Sequence, residues 1–353
     1  MMTTISEEKT QEKNEKHLFD DVVGQKHVIN TLLKMHRSGR YPNALMFHGK
    51  PGVGKHFLAR RFATMVVASS DPIIHDVREI QRMVDNDEHP DVHHFHHGDA
   101  ASFKIDLVRE AIAEARKPSF RSDVKVVILE DIHKFPSYQQ SDALLKAVED
   151  GTGGTMFIFT TEDYHAVMDT LKSRCTPVQF APLREAELHT ILSDYAGRDH
   201  FNIACRLADG SLDRAIRFLE PPEDDLLSGH QMRVRAFRLL THLDSIACHA
   251  IIKFLDSLVP KKDAVLFGEV VASIVRDVLV LKGSETPDEA SIVHYDMMES
   301  LVTLDEKWKL EQVVEAFQAI REFHERAEHG SGLQYQHHLK NMVLRMQEAV
   351  EDE

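Results

Sequence analysis

Between Val28 and Phe180, apolar residues recur in two alternating rhythms. Short runs are apolar at almost every position: Ala44-Leu45-Met46-Phe47, residues 124–129 and residues 156–160. Between them, apolar residues fall at helical spacing: Val28, Ile29, Leu32 and Leu33; Phe57, Leu58, Phe62 and Val66; Leu107, Val108, Ile112 and Ala115; Leu144, Ala147 and Val148. A short, continuous, β-branched run reads as a strand covered on both faces. Such strands alternating with helices predict a parallel, doubly wound α/β sheet. After Pro182 the rhythm is helical only. Stretches at 183–195, 201–208 and 211–219 predict a three-helix unit. Amphipathic stretches follow at 226–243, 246–258 and 264–281, then a stripe of Leu310, Val313, Val314, Phe317, Ile320 and Phe323, and a final one from Tyr335 to Met346. These stripes are read as the core of a helical bundle. The expected domains are a polar, disordered tail at 1–17, an α/β domain at 18–181, a three-helix unit at 182–222 and a helical domain at 223–353. Pro221-Pro222-Glu223-Asp224-Asp225 is the expected linker.

Composition narrows the function. The chain has 353 residues, 42% hydrophobic and 28% charged, enough for several cores without general disorder. No run of about 18 apolar residues predicts a membrane span, and the charged N-terminus lacks the apolar stretch of a signal peptide. A net charge of -15 argues against a broad DNA-coating surface. Three cysteines, Cys175, Cys205 and Cys248, show no C-x-x-C spacing. That suits a reducing cytoplasm and gives no cysteine-built zinc site.

Candidate chemistry centres on Gly49-Lys50-Pro51-Gly52-Val53-Gly54-Lys55, which fits the phosphate-binding pattern G-x-x-x-x-G-K. It lies after a predicted strand and before a predicted helix. That is the context in which loop N–H groups and a helix N-terminus cradle an anion. The next position should be Ser or Thr but is His56. The central strand at 124–129 ends in Glu130-Asp131. In P-loop ATPases such a pair holds magnesium through water and polarises the attacking water. Two acids at a strand end can also be merely solvated, but the upstream loop favours the functional position. Their order is the reverse of the usual Asp-Glu. A histidine-rich stretch, His93, His94, His96 and His97, follows His89-Pro90-Asp91-Val92. Alternation puts His94 and His96 on one face. A metal cluster and a plain His-rich strand are both open readings, and the absence of a recognisable ligand spacing favours the plain strand.

Several segments together carry a family resemblance: Val22-Val23-Gly24-Gln25, the glycine loop, His89-Pro90-Asp91-Val92, 126–131, 143–149 and Ser173-Arg174-Cys175. They occur in the order found in the AAA+ clamp-loader subunits of bacterial DNA polymerase III, and the chain resembles that family from about Phe19 to Met346. The resemblance implies an adenine pocket lined by Val23 and Gly24. It implies phosphate contacts from Gly49, Gly52, Val53, Gly54, Lys55 and His56. It also implies an arginine finger at Arg174 that reaches ATP held by a neighbouring subunit, a lid, and a collar that closes a ring. The implied partners are gamma/tau motor subunits and a delta subunit in a hetero-pentamer, with the sliding clamp and primed DNA met through the complex and no membrane. Departures accompany it. His56 replaces the magnesium hydroxyl, and Glu130 and Asp131 are inverted, a degenerate acid pair. Glu162 stands where a neutral residue faces phosphate, and Asp213 where a sensor arginine is usual. The resemblance therefore implies ATP or ADP binding without efficient hydrolysis, leaves magnesium open, and predicts no resident metal and no zinc. The alternative is a self-sufficient AAA+ ATPase of the motor-subunit or helicase-loader kind.

Overall fold

The computed structural model describes residues 17–74, 76–96, 105–134, 141–151, 154–198, 200–220, 229–258, 264–284, 291–327 and 332–351. The expected tail, apart from His17, lies outside these residues, as do His97 and the linker at 221–225. The chain forms two compact units. The first runs to Ile191 and includes Gly210–Leu212; the second takes Leu192–Asp209 and Asp213 onward.

The first unit is built on five parallel strands: β1 (Ala44–His48), β2 (Val92–Phe95), β3 (Lys125–Leu129), β4 (Thr155–Thr161) and β5 (Thr176–Gln179), in the spatial order β2-β3-β4-β1-β5. All residues of β3 and β4 are buried. The cause is visible in the two cores. Leu45, Phe47, Val126, Ile128, Met156 and Ile158 pack on one face. Ala44, Met46, Val127, Leu129, Phe157 and Phe159 pack on the other. With both faces covered there is no polar side to show, so the strands read as unbroken apolar runs.

Helices fill those faces: α1 (Lys26–Ser38), α2 (Lys55–Ala68), α3 (Val77–Asp85), α4 (Ile105–Ala115), α5 (Ser141–Asp150), the short α6 (Asp169–Lys172) and α7 (Glu185–Ile191). Helix α3 was not foreseen. It has a clear local cause: Asp76 caps it by accepting from the Arg78 N–H at 2.9 Å, and Ile80 and Val84 are buried four residues apart.

The second unit is all helical: α8 (Phe201–Leu207), α9 (Leu212–Leu219, entering from the first unit), α10 (Gly229–Thr241), α11 (Cys248–Leu258), α12 (Ala264–Gly283), α13 (Met298–Lys307), α14 (Leu310–Ala327) and α15 (Gly332–Glu351). One core joins Phe218, Phe237, Phe267, Ile274, Trp308, Phe323 and Met346. Helix α13, anchored by Leu301 and Leu304, was also not anticipated. One expectation is corrected. In the α14 stripe Val313, Ile320 and Phe323 are buried, but Leu310 and Val314 are 51% and 46% exposed. The apolar stripe is wider than the face the bundle covers. No helix among the described residues is long and apolar enough to cross a membrane.

Candidate functional site

The glycine loop leaves β1 and enters α2 as the sequence predicts. Gly49, Gly52 and Gly54 all have positive φ, at 153°, 66° and 90°. At Gly49 the demand is steric as well, since a Cβ would meet the Phe180 carbonyl oxygen at 2.6 Å. Gly54 precedes Lys55, the first residue of α2, so the loop wraps the positive end of the helix dipole. Lys55 is buried. Its Nζ donates to the Gly49 and Lys50 carbonyls at 2.9 and 2.7 Å, which holds the ammonium within the loop. Val53 is buried in the sheet core. The loop and Lys55 fit a nucleotide phosphate.

Val23 and Gly24 lie in the approach to α1, and Gln25 ties this segment to the loop. The Gln25 amide donates to the Ala181 carbonyl at 2.6 Å and to the Val53 carbonyl at 3.3 Å. It also accepts from the Ala181 N–H at 3.2 Å. The Leu212 N–H adds a bond to the Gly52 carbonyl at 2.8 Å.

The two strand-end acids diverge. Asp131, at φ 49°, pairs with Lys134 at 2.8 Å, and its N–H donates to the Thr160 hydroxyl at 3.2 Å. Glu130 turns toward α2. Its Oε1 contacts His56 Nδ1 and lies 2.9 Å from His94 Nε2. The register of β2 on β3 sets His94 beside Ile128, and the first turn of α2 brings His56 over the same point. The His56 and His94 rings are 4.6 Å apart. Arg60, one turn along α2, donates from Nε to His56 Nε2 at 3.0 Å, and its Nη2 lies 2.7 Å from His94 Nδ1. Burial, with Arg60 alongside, pulls the pKa of His56 down to about 4. Burial, with His56 and Arg60 adding to it, pulls His94 down to about 3. Both rings are neutral at pH 7.

This geometry does not fit magnesium in the manner of P-loop ATPases. Mg²⁺ asks for near-octahedral oxygen ligands. Here the hydroxyl is an imidazole, and the carboxylate faces two ring nitrogens. Sequence reasoning missed His94 as a neighbour of Glu130 and His56. It also missed His133, which contacts Thr161 Oγ1 at 3.1 Å and comes within 4.8 Å of Asp131 and Glu162.

Arg174 lies elsewhere. It is exposed in the turn between α6 and β5, where it pairs with Glu149 and donates to the Thr170 carbonyl at 2.7 Å. Thr176, the first residue of β5, sits beside Leu45 at the start of β1, while the glycine loop follows His48 at its end. Arg174 is therefore at the opposite end of the sheet, with about 10 Å of strand between. The expected sensor positions also differ in setting. Glu162 is exposed, and Arg214, the residue after Asp213, pairs with Glu269 inside the second unit.

Residues 24–184 match the family described as DNA polymerase III, delta subunit. The tau subunit of DNA polymerase III from Salmonella typhimurium is 29% identical over 214 residues, 56% of this chain and 32% of that relative. The chain thus spans about a third of the tau subunit's length. The delta' subunit of Bacillus subtilis is 23% identical over 332 residues, 92% of this chain and 96% of that protein. Among solved structures, a gamma subunit-related protein of Thermotoga maritima is 14% identical with a TM-score of 0.42, covering 78% of this chain and 98% of that one. The chain is thus similar to subunits of DNA polymerase III, over little more than half of its length for the tau subunit and over 92% of it for the delta' subunit.

Proposed function

We propose that the chain is a non-motor, delta-prime-type subunit of a DNA polymerase III clamp loader. Its residues 182–222 act as the lid and residues 223–353 as the collar of a cytoplasmic hetero-pentamer with gamma/tau and delta subunits. In that ring it helps place the sliding clamp on primed DNA. The carrying observation is the separation of its two candidate sites: Arg174 is exposed at the strand ends opposite the glycine loop, so it serves another chain's nucleotide rather than its own. A guanidinium suits this role because it stays charged and offers a rigid fork of donors to phosphate oxygens. The chain's own loop holds ATP or ADP through Gly49, Gly52, Gly54 and Lys55 without efficient turnover, because the groups that would hold magnesium are engaged with one another. The collinear match to a delta' subunit over 92% of this chain supports the reading.

The test is Arg174→Ala in a reconstituted loader. Assembly should persist, while DNA-stimulated turnover at the neighbouring site falls on the order of 10³-fold. Unchanged turnover with normal assembly would remove the finger role. Magnesium-dependent turnover by the isolated chain near ~1 s⁻¹, an ordinary enzyme rate, would favour the self-sufficient ATPase instead.

A further inference from the structure

The mouth of the phosphate loop holds three buried ligand atoms aimed at one point. They are His56 Nδ1 on α2, His94 Nε2 on β2 and Glu130 Oε1 at the end of β3. All lie within 4.8 Å of one another: Glu130 Oε1 contacts His56 Nδ1 and lies 2.9 Å from His94 Nε2, and none of the three has a hydrogen-bond partner outside this cluster. Three elements far apart in sequence thus deliver two imidazole nitrogens and one carboxylate oxygen to one place. Two imidazole nitrogens and a carboxylate oxygen turned to one point form a ligand set that a cation can bridge. An anion is excluded by the carboxylate; with the ring protons moved to the far nitrogens, three lone pairs converge here and describe a cation.

We propose that His56, His94 and Glu130 form a site for a divalent transition-metal ion of the zinc class, in place of the magnesium site of P-loop ATPases. Mixed imidazole and carboxylate ligation suits zinc-class ions, whereas magnesium prefers oxygen alone. Three protein ligands leave at least one coordination position open. The side of the site with His56, whose side chain is 44% exposed, faces solvent, so that position is reachable by water or by a phosphate oxygen. His94, with a side chain 5% exposed, is the fixed anchor.

Arg60 controls occupancy. A ring that ligates through one nitrogen carries its proton on the other, and Arg60 donates to those other nitrogens, His56 Nε2 and His94 Nδ1. Metal binding therefore requires Arg60 to withdraw from both rings. It has acceptors to withdraw to: the Val84 and Asp85 carbonyls and Asp87 Oδ1, the last already at 2.8 Å. The site stands whether or not the chain serves in a clamp loader.

The experiment is a titration of the full chain with Zn²⁺ alone, with Co²⁺ as a visible reporter and Mg²⁺ as competitor. It compares wild type with His94→Gln, His56→Ala and Arg60→Gln, and the folding of each variant is checked by circular dichroism. The chain has 23 histidines, so the difference between wild type and variant is what is read. We expect one tight equivalent in wild type, not displaced by millimolar Mg²⁺. Either ligand variant should weaken it by more than about 100-fold, the upper end for loss of an outer-shell partner alone. Arg60→Gln should tighten it by about 10-fold. Should His94→Gln fail to fold, the half-exposed His56→Ala decides. Equal affinity in wild type and the ligand variants would overturn the site, and displacement by equimolar Mg²⁺ would overturn the choice of metal.

Discussion

His94 and His294 are both buried histidines set beside an arginine and a carboxylate, one in each unit. Around His294 nearly every proton has a place. Arg233 donates from Nε to His294 Nδ1 at 3.0 Å, and His294 Nε2 donates to the Ser273 hydroxyl at 2.8 Å. That hydroxyl in turn donates to the Val270 carbonyl at 2.8 Å. Asp277 accepts the Val293 and His294 N–H groups at 3.0 and 2.8 Å, and Arg233 also pairs with Asp296. Around His94 the far nitrogen faces Arg60 Nη2 and the near nitrogen lies 2.9 Å from Glu130 Oε1, an oxygen that His56 also contacts. A closed chain of donors and acceptors fixes a fold, whereas the His94 cluster, with one carboxylate oxygen shared between two rings, is open to the cation proposed above. Residue type alone could not separate the two.

The largest effect should come from breaking the closed chain. Arg233→Leu removes the donor to His294 and the partner of Asp296, and should destabilise the protein by about 3–5 kcal/mol in urea unfolding. The matching change at the open site, His94→Gln, should cost under about 1 kcal/mol. Equal costs would erase the distinction.

The next effect is pH dependence. Burial, followed by the nearby Arg233 and Arg276 charges, pulls His294 down to about 2. Below about pH 6.5 the unfolded chain binds a proton there that the folded chain refuses. The contribution is intact above pH 6.5 and is lost as pH falls from 6.5 toward 2, at up to about 1.4 kcal/mol per pH unit. His294→Gln should reduce the slope of unfolding free energy between pH 6 and 5 by one proton's worth, read from denaturant melts at each pH. An unchanged slope would mean that His294 is protonated in the fold.

The smallest effect concerns Arg174, the residue proposed above to serve another chain. Arg174 makes an exposed pair with Glu149, so Arg174→Ala should change stability by under about 0.5 kcal/mol. A loss of several kcal/mol would make Arg174 a structural residue.

These contrasts also mark what the sequence could convey. The strands were legible because each is buried on both faces and carries no polar alternation to mislead. The glycine loop was legible because its positive-φ positions admit little besides glycine. The unforeseen helix at Val77–Asp85 had its signal in Asp76, Ile80 and Val84, in a short span dominated by charge. The convergence of His56, His94 and Glu130 was not legible. It depends on which strand lies beside β3 and on where α2 starts above them, and neither is a local property. His94 sits in a run of histidines whose alternation is visible but whose neighbour is not. Leu310 and Val314 misled in the opposite sense, because spacing assigns a helix face and only packing decides how much of it is covered.

The Gln25 amide remains a lever. It grips the Ala181 backbone from both sides and the Val53 carbonyl, so one side chain couples the chain leaving β5 to the phosphate loop. At about 1 kcal/mol per bond, a shift of Ala181 must either break that grip or drag Val53 with it. The glycine loop is thereby tied through one amide to the exit of the sheet.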